Sequence, residues 1–308
     1  MQNSIIDIER IIEKEIGIKN STITEVGNRE LGRHSVYKIK VNNRIYILKI
    51  YGIEGKSVRE INSLKILEKS DVKTPQIIKV GEKDKKKWIL IEYIEGVVLE
   101  KVLEEIDYEN RLTLFEEMGE ELGKLHKYKI FDYALKWDES IKSNDYIEYK
   151  IEKMEERIKE IENQKLPDEK VLFKAIKIIR ENYIELFSDT VFRLTHNDFD
   201  GRNILVKESK GIYNISAIID FEQSYPDNNE NDLANLYFKY FTQNRDYEKV
   251  FLDGYKKYMR VDESFYKKLR VYLMIMGIEH CSWSYEKAHK YYSENIEFLK
   301  KLLEKKIK

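Results

Sequence analysis

The chain has 308 residues, room for two compact lobes; 42% are hydrophobic, 36% charged, and the net charge is −1. That balance excludes the basic excess of a nucleic-acid surface, and no apolar run approaches the roughly 18–20 residues of a membrane span. The single cysteine, Cys281, excludes an internal disulfide; with no signal-peptide pattern a cytoplasmic protein is expected, Cys/His zinc spacing is absent, and a monomer is the default expectation.

In chain order, Ser4 to Ile16 sets Ile5, Ile8, Ile11, Ile12 and Ile16 at helical spacing before Gly17. Thr22 to Ile50 reads as three strands: one ending near Val26, a turn over Gly27 to Ser35, an alternating strand Val36 to Val41, an Asn42-Asn43 hairpin turn, and a third strand Ile45 to Ile50 that carries Lys49. Lys56 to Ser70 is helical, with Glu60 early in it. A strand from Gln76 to Val80 and the apolar run W-I-L-I-E-Y from Trp88 to Tyr93 follow, and Glu95-Gly96 breaks the second. From there helices dominate: Tyr108 to Lys127, Tyr146 to Glu162 and Glu169 to Phe187, then Arg245 to Met259, Glu263 to Lys287 and Ser293 to Lys306.

Between these helical blocks lies the stretch that carries chemistry. Thr195 to Leu205 reads T-H-N-D-F-D-G-R-N-I-L, and Ile218 to Glu222 reads I-I-D-F-E at the end of a second apolar run. H-x-D-x-x-x-x-N followed by an Asp at a strand end is the residue grammar of kinase-type phosphoryl transfer. Asp198 is the carboxylate to set beside an attacking hydroxyl. Asn203 and Asp220 offer hard oxygen ligands for Mg²⁺. Lys49, on a strand after a glycine-bearing turn, is placed to reach nucleotide phosphates, and Glu60 on the next helix to hold that lysine.

These motifs resemble the aminoglycoside phosphotransferase and choline kinase superfamily, the small-molecule branch of the protein-kinase-like fold. Asn197 and Glu222 stand where eukaryotic protein kinases usually carry Arg and Gly, and no A-P-E follows, so the small-molecule branch is favoured over a protein kinase. The turn before Lys49 lacks a full G-x-G-x-x-G. The resemblance implies an α+β bilobal fold: an N-terminal antiparallel-sheet lobe over residues 1–95 that binds ATP or GTP, and a mainly helical C-terminal lobe over 96–308. It implies a hinge whose backbone near Glu92 and Ile94 meets the nucleotide base, an Asp232 that anchors the catalytic loop, and a structural His126. The acceptor it implies is a hydroxyl of a small cation, first an aminoglycoside, giving antibiotic resistance. The alternative is choline, ethanolamine or another alcohol; an inactive kinase-like binding protein is the remaining rival. Glu222, Asp227, Glu230, Glu279 and Trp283 are the candidate acidic and aromatic lining for such a cation.

Overall fold

The computed structural model describes residues 8–9, 11–17, 19, 21–27, 34–53, 55–131 and 146–304. These divide into two compact units. The first takes the residues up to Ile106 together with Gly201–Ser224; the second takes those from Asp107 to Asp200 and from Tyr225 onward. Among the described residues no helix is long and apolar enough to cross a membrane.

The first unit is built on a five-stranded antiparallel sheet in the order β1-β2-β3-β5-β4, with β1 Thr22–Val26, β2 His34–Val41, β3 Arg44–Tyr51, β4 Ile77–Lys83 and β5 Lys86–Glu92. Strand side chains alternate between faces. Tyr37, Ile39, Leu48, Ile50, Trp88 and Leu90 therefore share one face, which packs against Ile8, Ile11 and Ile12 of the N-terminal helical turn. The same alternation sends Lys49 and Tyr51 to the opposite face. Asn42 makes the β2–β3 turn with φ of 50°, a conformation Asn tolerates better than most residues. The turn expected over Gly27 to Ser35, and part of the helix expected from Ser4, lie outside the described residues.

Helix α1, Lys56–Leu67, follows β3 and packs on the turn Phe221–Gln223. That turn belongs to the first unit because the hairpin before it does. Strand β6 (Val97–Val98) pairs with β8 (Ile204–Ser209), which pairs with β9 (Ile212–Ile218). Lys73 ties the hairpin down: its carbonyl accepts from Ile218 N–H at 2.7 Å and its ammonium donates to the Ile215 carbonyl at 3.0 Å.

The second unit is helical: α2 Tyr108–Tyr128, α3 Tyr146–Gln164, α4 Glu169–Ser188, α5 Arg245–Tyr255, α6 Glu263–Ser284 and α7 His289–Leu303. Asp107, Asn244 and Asp262 cap α2, α5 and α6 by accepting from backbone N–H groups of their first turns. Helices α2 and α5 cross with backbones in contact. A Cβ on Gly119 would lie 2.0 Å from the Phe251 carbonyl oxygen, and one on Gly254 would lie 2.1 Å from that of Glu116, so only glycine permits the approach. Strand β7, Arg193–Thr195, pairs antiparallel with β10, Tyr225–Asp227. Three residues are too few for a period-two signal, which is why β10 does not register in the sequence.

Candidate active site

Lys49 is the centre of the site's charge. Its ammonium lies 2.8 Å from Glu60 Oε2, 2.6 Å from Asp220 Oδ1 and 2.9 Å from Glu222 Oε2. The three acids offer oxygens within 4.8 Å of one another, a donor set suited to a hard cation. Burial pushes the Lys49 ammonium toward deprotonation, but the charges of Glu60, Asp220 and Glu222 outweigh it and hold the pKa above its usual value. Tyr51, two residues along the same strand face, donates its hydroxyl to Glu60 at 2.7 Å. His34 accepts from Gly52 N–H at Nδ1 and brings Nε2 within 2.7 Å of Glu222. Burial raises the Glu222 pKa, yet the His34 contact and the Lys49 charge overcome it and depress the carboxyl below its usual range. Asp220 is the most open of the three acids, its side chain 38% exposed.

The β8–β9 hairpin brings Asn203 and Asp220 to one end. Asn203 closes the helical turn before β8, and the register Ile204↔Ile218 returns the chain beside it. Ile219 N–H then donates to the Asn203 carbonyl at 2.9 Å. Asp220 follows at once with φ of 67° and ψ of 58°, a left-handed conformation that is uncommon for a residue with a side chain and gathers at functional sites.

Asp198 is half-buried in the loop between β7 and Gly201. The loop's shape is set from beneath. Asp232 Oδ2 accepts from His196 N–H at 2.7 Å and its Oδ1 from Asn197 N–H at 2.5 Å. Asn197 adopts φ of 60°; its side chain donates to Thr195 Oγ1 and accepts from Asn231. Asp232 is held in turn by His126 Nε2 at 3.0 Å, and His126 Nδ1 lies 2.7 Å from the Tyr255 hydroxyl, which also meets Asn229 Nδ2 at 3.0 Å. Burial lowers the His126 pKa, so the ring is neutral and the donor order is fixed: Asn229 to Tyr255, Tyr255 to His126, His126 to Asp232. The α2–α5 crossing delivers two members of this chain, since both helices end beside it. Asp200, fully buried, is matched by Lys239 at 3.0 Å.

The remaining candidates are less gathered. Glu92 ends β5 and accepts from Gln76 N–H through Oε1 at 3.1 Å; Ile94 lies in the irregular segment after it. Glu222 belongs to the Lys49 cluster. Asp227 is fully buried, accepting from the Tyr146 hydroxyl at 2.5 Å and from Lys150 at 2.7 Å. Glu230 is buried. Glu279 and Trp283 lie one turn apart on α6: Glu279 is half-buried and 3.6 Å from Arg157, and Trp283 is 47% exposed. Trp283 lies 5.2 Å from the Tyr291 ring and 6.1 Å from His280. Sequence reasoning passed over Tyr51 and His34. Tyr51 was open to it, being two residues from Lys49 on a strand; His34 depends on the β2–β3 register and had no local signal.

Comparison with known proteins accords with this geometry. A model of the phosphotransferase enzyme family matches residues 28–265. KEOPS complex subunit Bud32 of Pyrococcus abyssi (strain GE5 / Orsay) is 33% identical over 99 residues, covering 30% of this chain; the match spans only 44% of that curated relative's length. Among solved structures, the GDP complex of aminoglycoside 2'-phosphotransferase-IIIa superposes with a TM-score of 0.69 at 16% identity over 99% of this chain and 100% of that one. Aminoglycoside phosphotransferase APH(4)-Ia, in a ternary complex with AMP-PNP and hygromycin B, gives 0.67 at 14% identity over 96% and 97%. Their likeness shows the fold. The chain belongs to the phosphotransferase enzyme family, with the kinase-like fold of the aminoglycoside phosphotransferase and choline kinase superfamily.

Proposed function

We propose that the protein transfers the γ-phosphoryl group of ATP or GTP to a hydroxyl of a small cationic molecule, with an aminoglycoside as the leading acceptor. The observation that carries the reading is Lys49 held among Glu60, Asp220 and Glu222, a charged cluster retained at the positions where kinase chemistry needs a phosphate-binding lysine and a metal-binding carboxylate.

In this reading Lys49 binds the nucleotide phosphates, and Glu60 and Tyr51 keep its ammonium oriented. The backbone near Glu92 and Ile94 receives the nucleotide base. Asp220 and Asn203 would hold Mg²⁺; their oxygen donors fit it, and the ion, when bound, neutralises charge on the phosphate oxygens. Asp198 orients the acceptor hydroxyl and takes its proton as the new bond to phosphorus forms. The loop under Asp198 is fixed by Asp232, so its carboxylate is positioned before the acceptor arrives, the condition under which orientation lowers a barrier.

For the acceptor, Asp227 and Glu222 are already matched by Lys150 and Lys49. Glu279 faces Arg157 at 3.6 Å, a longer and more open pairing than those two, and with the exposed Trp283 it forms the face of α6 to which we assign acceptor recognition. The neighbouring fold has been captured with hygromycin B in APH(4)-Ia, which supports an aminoglycoside. The grouping of Trp283, Tyr291 and His280 favours a second reading, a quaternary or primary ammonium alcohol such as choline or ethanolamine.

The test is nucleotide consumption by the purified protein with Mg²⁺, ATP and GTP in parallel, against aminoglycosides, choline and ethanolamine. Stimulation by an aminoglycoside subset is expected. Stimulation by choline or ethanolamine alone selects the second reading, and nucleotide binding with no stimulation by any acceptor in the panel overturns both acceptor assignments.

A further inference from the structure

The second unit contains a half-open cavity of about 260 Å³ that the proposed reaction does not use, bordered by the end of α2, the start of β7, the turn after β10 and the approach to α6. Its wall is cationic. Lys127, Arg193, Arg260 and Lys268 line it against two carboxylates, Glu230 and Asp262. Arg193 and Lys268 are partly engaged, with the His126 carbonyl at 2.9 Å and with Asp189 at 2.8 Å. Arg260 stands at the rim, its side chain 87% exposed, with Nε 2.8 Å from Asp262 and the rest of its guanidinium turned to solvent. The positive end of the 22-residue α6 adds to the field, since its first turn, through Ser264 and Phe265, also lines the space.

Within this cationic wall sits a carboxyl that the fold leaves incomplete. Glu230 is 7% exposed, and among the described residues its Oε2 has no hydrogen-bond partner. A buried polar atom without a partner is costly and uncommon, and burial holds this carboxyl's pKa above its usual range. The next residue toward the N-terminus, Asn229, also lines the cavity. It starts the donor chain through Tyr255, His126 and Asp232 to the N–H groups of His196 and Asn197. A ligand that moves Asn229 therefore acts on the loop that carries Asp198.

We infer that this cavity is a regulatory site for a small anion that also carries an O–H or N–H donor, the anionic group meeting Lys127 and Arg260 and the donor meeting Glu230 Oε2. Binding is read by thermal shift of the full chain with three probes: glycerol 3-phosphate, phosphoethanolamine and inorganic phosphate. The expected result is a rise in Tm with one or both donor-bearing probes and a smaller one with inorganic phosphate. Glu230→Leu should keep or raise the unliganded Tm and abolish the shift; Lys127→Ala with Arg260→Ala should weaken it. The active probe should change the rate of phosphoryl transfer by about fivefold or more, and Asn229→Ala should keep the Tm shift while losing that rate response. The binding arm does not depend on the proposed reaction, so its failure is separable from failure of the functional reading. No shift with any probe, an equal shift with inorganic phosphate, or a Glu230→Leu protein that is destabilised and still shifts would each overturn the inference.

Discussion

Ile219 donates its backbone N–H to the carbonyl of Asn203 at 2.9 Å, and that bond extends the β8–β9 ladder so that Asn203 and Asp220 stand at the same end of a hairpin. If Asn203 and Asp220 hold a single Mg²⁺, their substitutions share a consequence. Asn203→Ala and Asp220→Asn should each raise the Mg²⁺ concentration needed for half-maximal turnover by about tenfold or more. The double variant should be less affected than the product of the two, as for groups acting on one partner. Mg²⁺ titration of turnover gives both numbers, and chelation with EDTA should silence the native enzyme.

Glu60 makes a different kind of contribution. It pairs with Lys49 at 2.8 Å and accepts from Tyr51, but Lys49 keeps Asp220 and Glu222 when Glu60 is neutralised. Glu60→Gln should therefore cost less than the about 3–5 kcal/mol of a buried charge left alone, measured by urea unfolding. Its larger effect should fall on the nucleotide: Lys49 would turn toward the remaining carboxylates, and nucleotide Kd should rise by about tenfold, the scale of one charge-assisted hydrogen bond.

His126 gives a pH signature. Its pKa is lowered in the fold by burial, while the unfolded chain has the ordinary value near 6.5. Between those two pKa values the unfolded state binds more protons, so stability falls as pH drops below about 6.5. His126→Asn should flatten the part of the stability–pH curve between about 6.5 and the lower folded pKa, and it should slow turnover by loosening the support of Asp232. Chemical denaturation at a series of pH values, native against variant, checks the slope.

The same support depends on the helix crossing. Gly119→Ala would place a methyl 2.0 Å from the Phe251 carbonyl oxygen, forcing α2 and α5 apart. A loss of about 1–3 kcal/mol or more is expected, together with reduced turnover, because His126 and Tyr255 ride on those two helices. A substitution at the exposed Tyr128 in the same helix should do neither.

Much of this is legible in the sequence, and for identifiable reasons. Strands β2 and β3 announce themselves by alternation around an Asn-Asn turn, and Lys49 falls on the correct face because a strand's period is two. The spacing of Lys49 and Glu60, strand to next helix, placed two residues that the fold brings to 2.8 Å. What stayed hidden is tertiary. Asp227 looks like a free acid in sequence, and only the packing of α3 reveals Tyr146 and Lys150 upon it. Glu222 looks like an acceptor group after I-I-D-F, yet His34 from β2 and Lys49 from β3 claim it. Residues 201–224 join the first unit through tertiary contacts, among them Lys73 on the hairpin and β6 paired with β8, and no local pattern encodes those.

The proposed reaction turns on Asp198 acting on the acceptor hydroxyl. The direct measurement is kcat and nucleotide Kd for Asp198→Asn beside the native enzyme, with whichever acceptor the panel identifies. The expected result is a fall in kcat of about 10²–10⁴, the range for a positioned general base, with nucleotide Kd essentially unchanged. Near-native kcat in the variant, with nucleotide and acceptor bound, would contradict it.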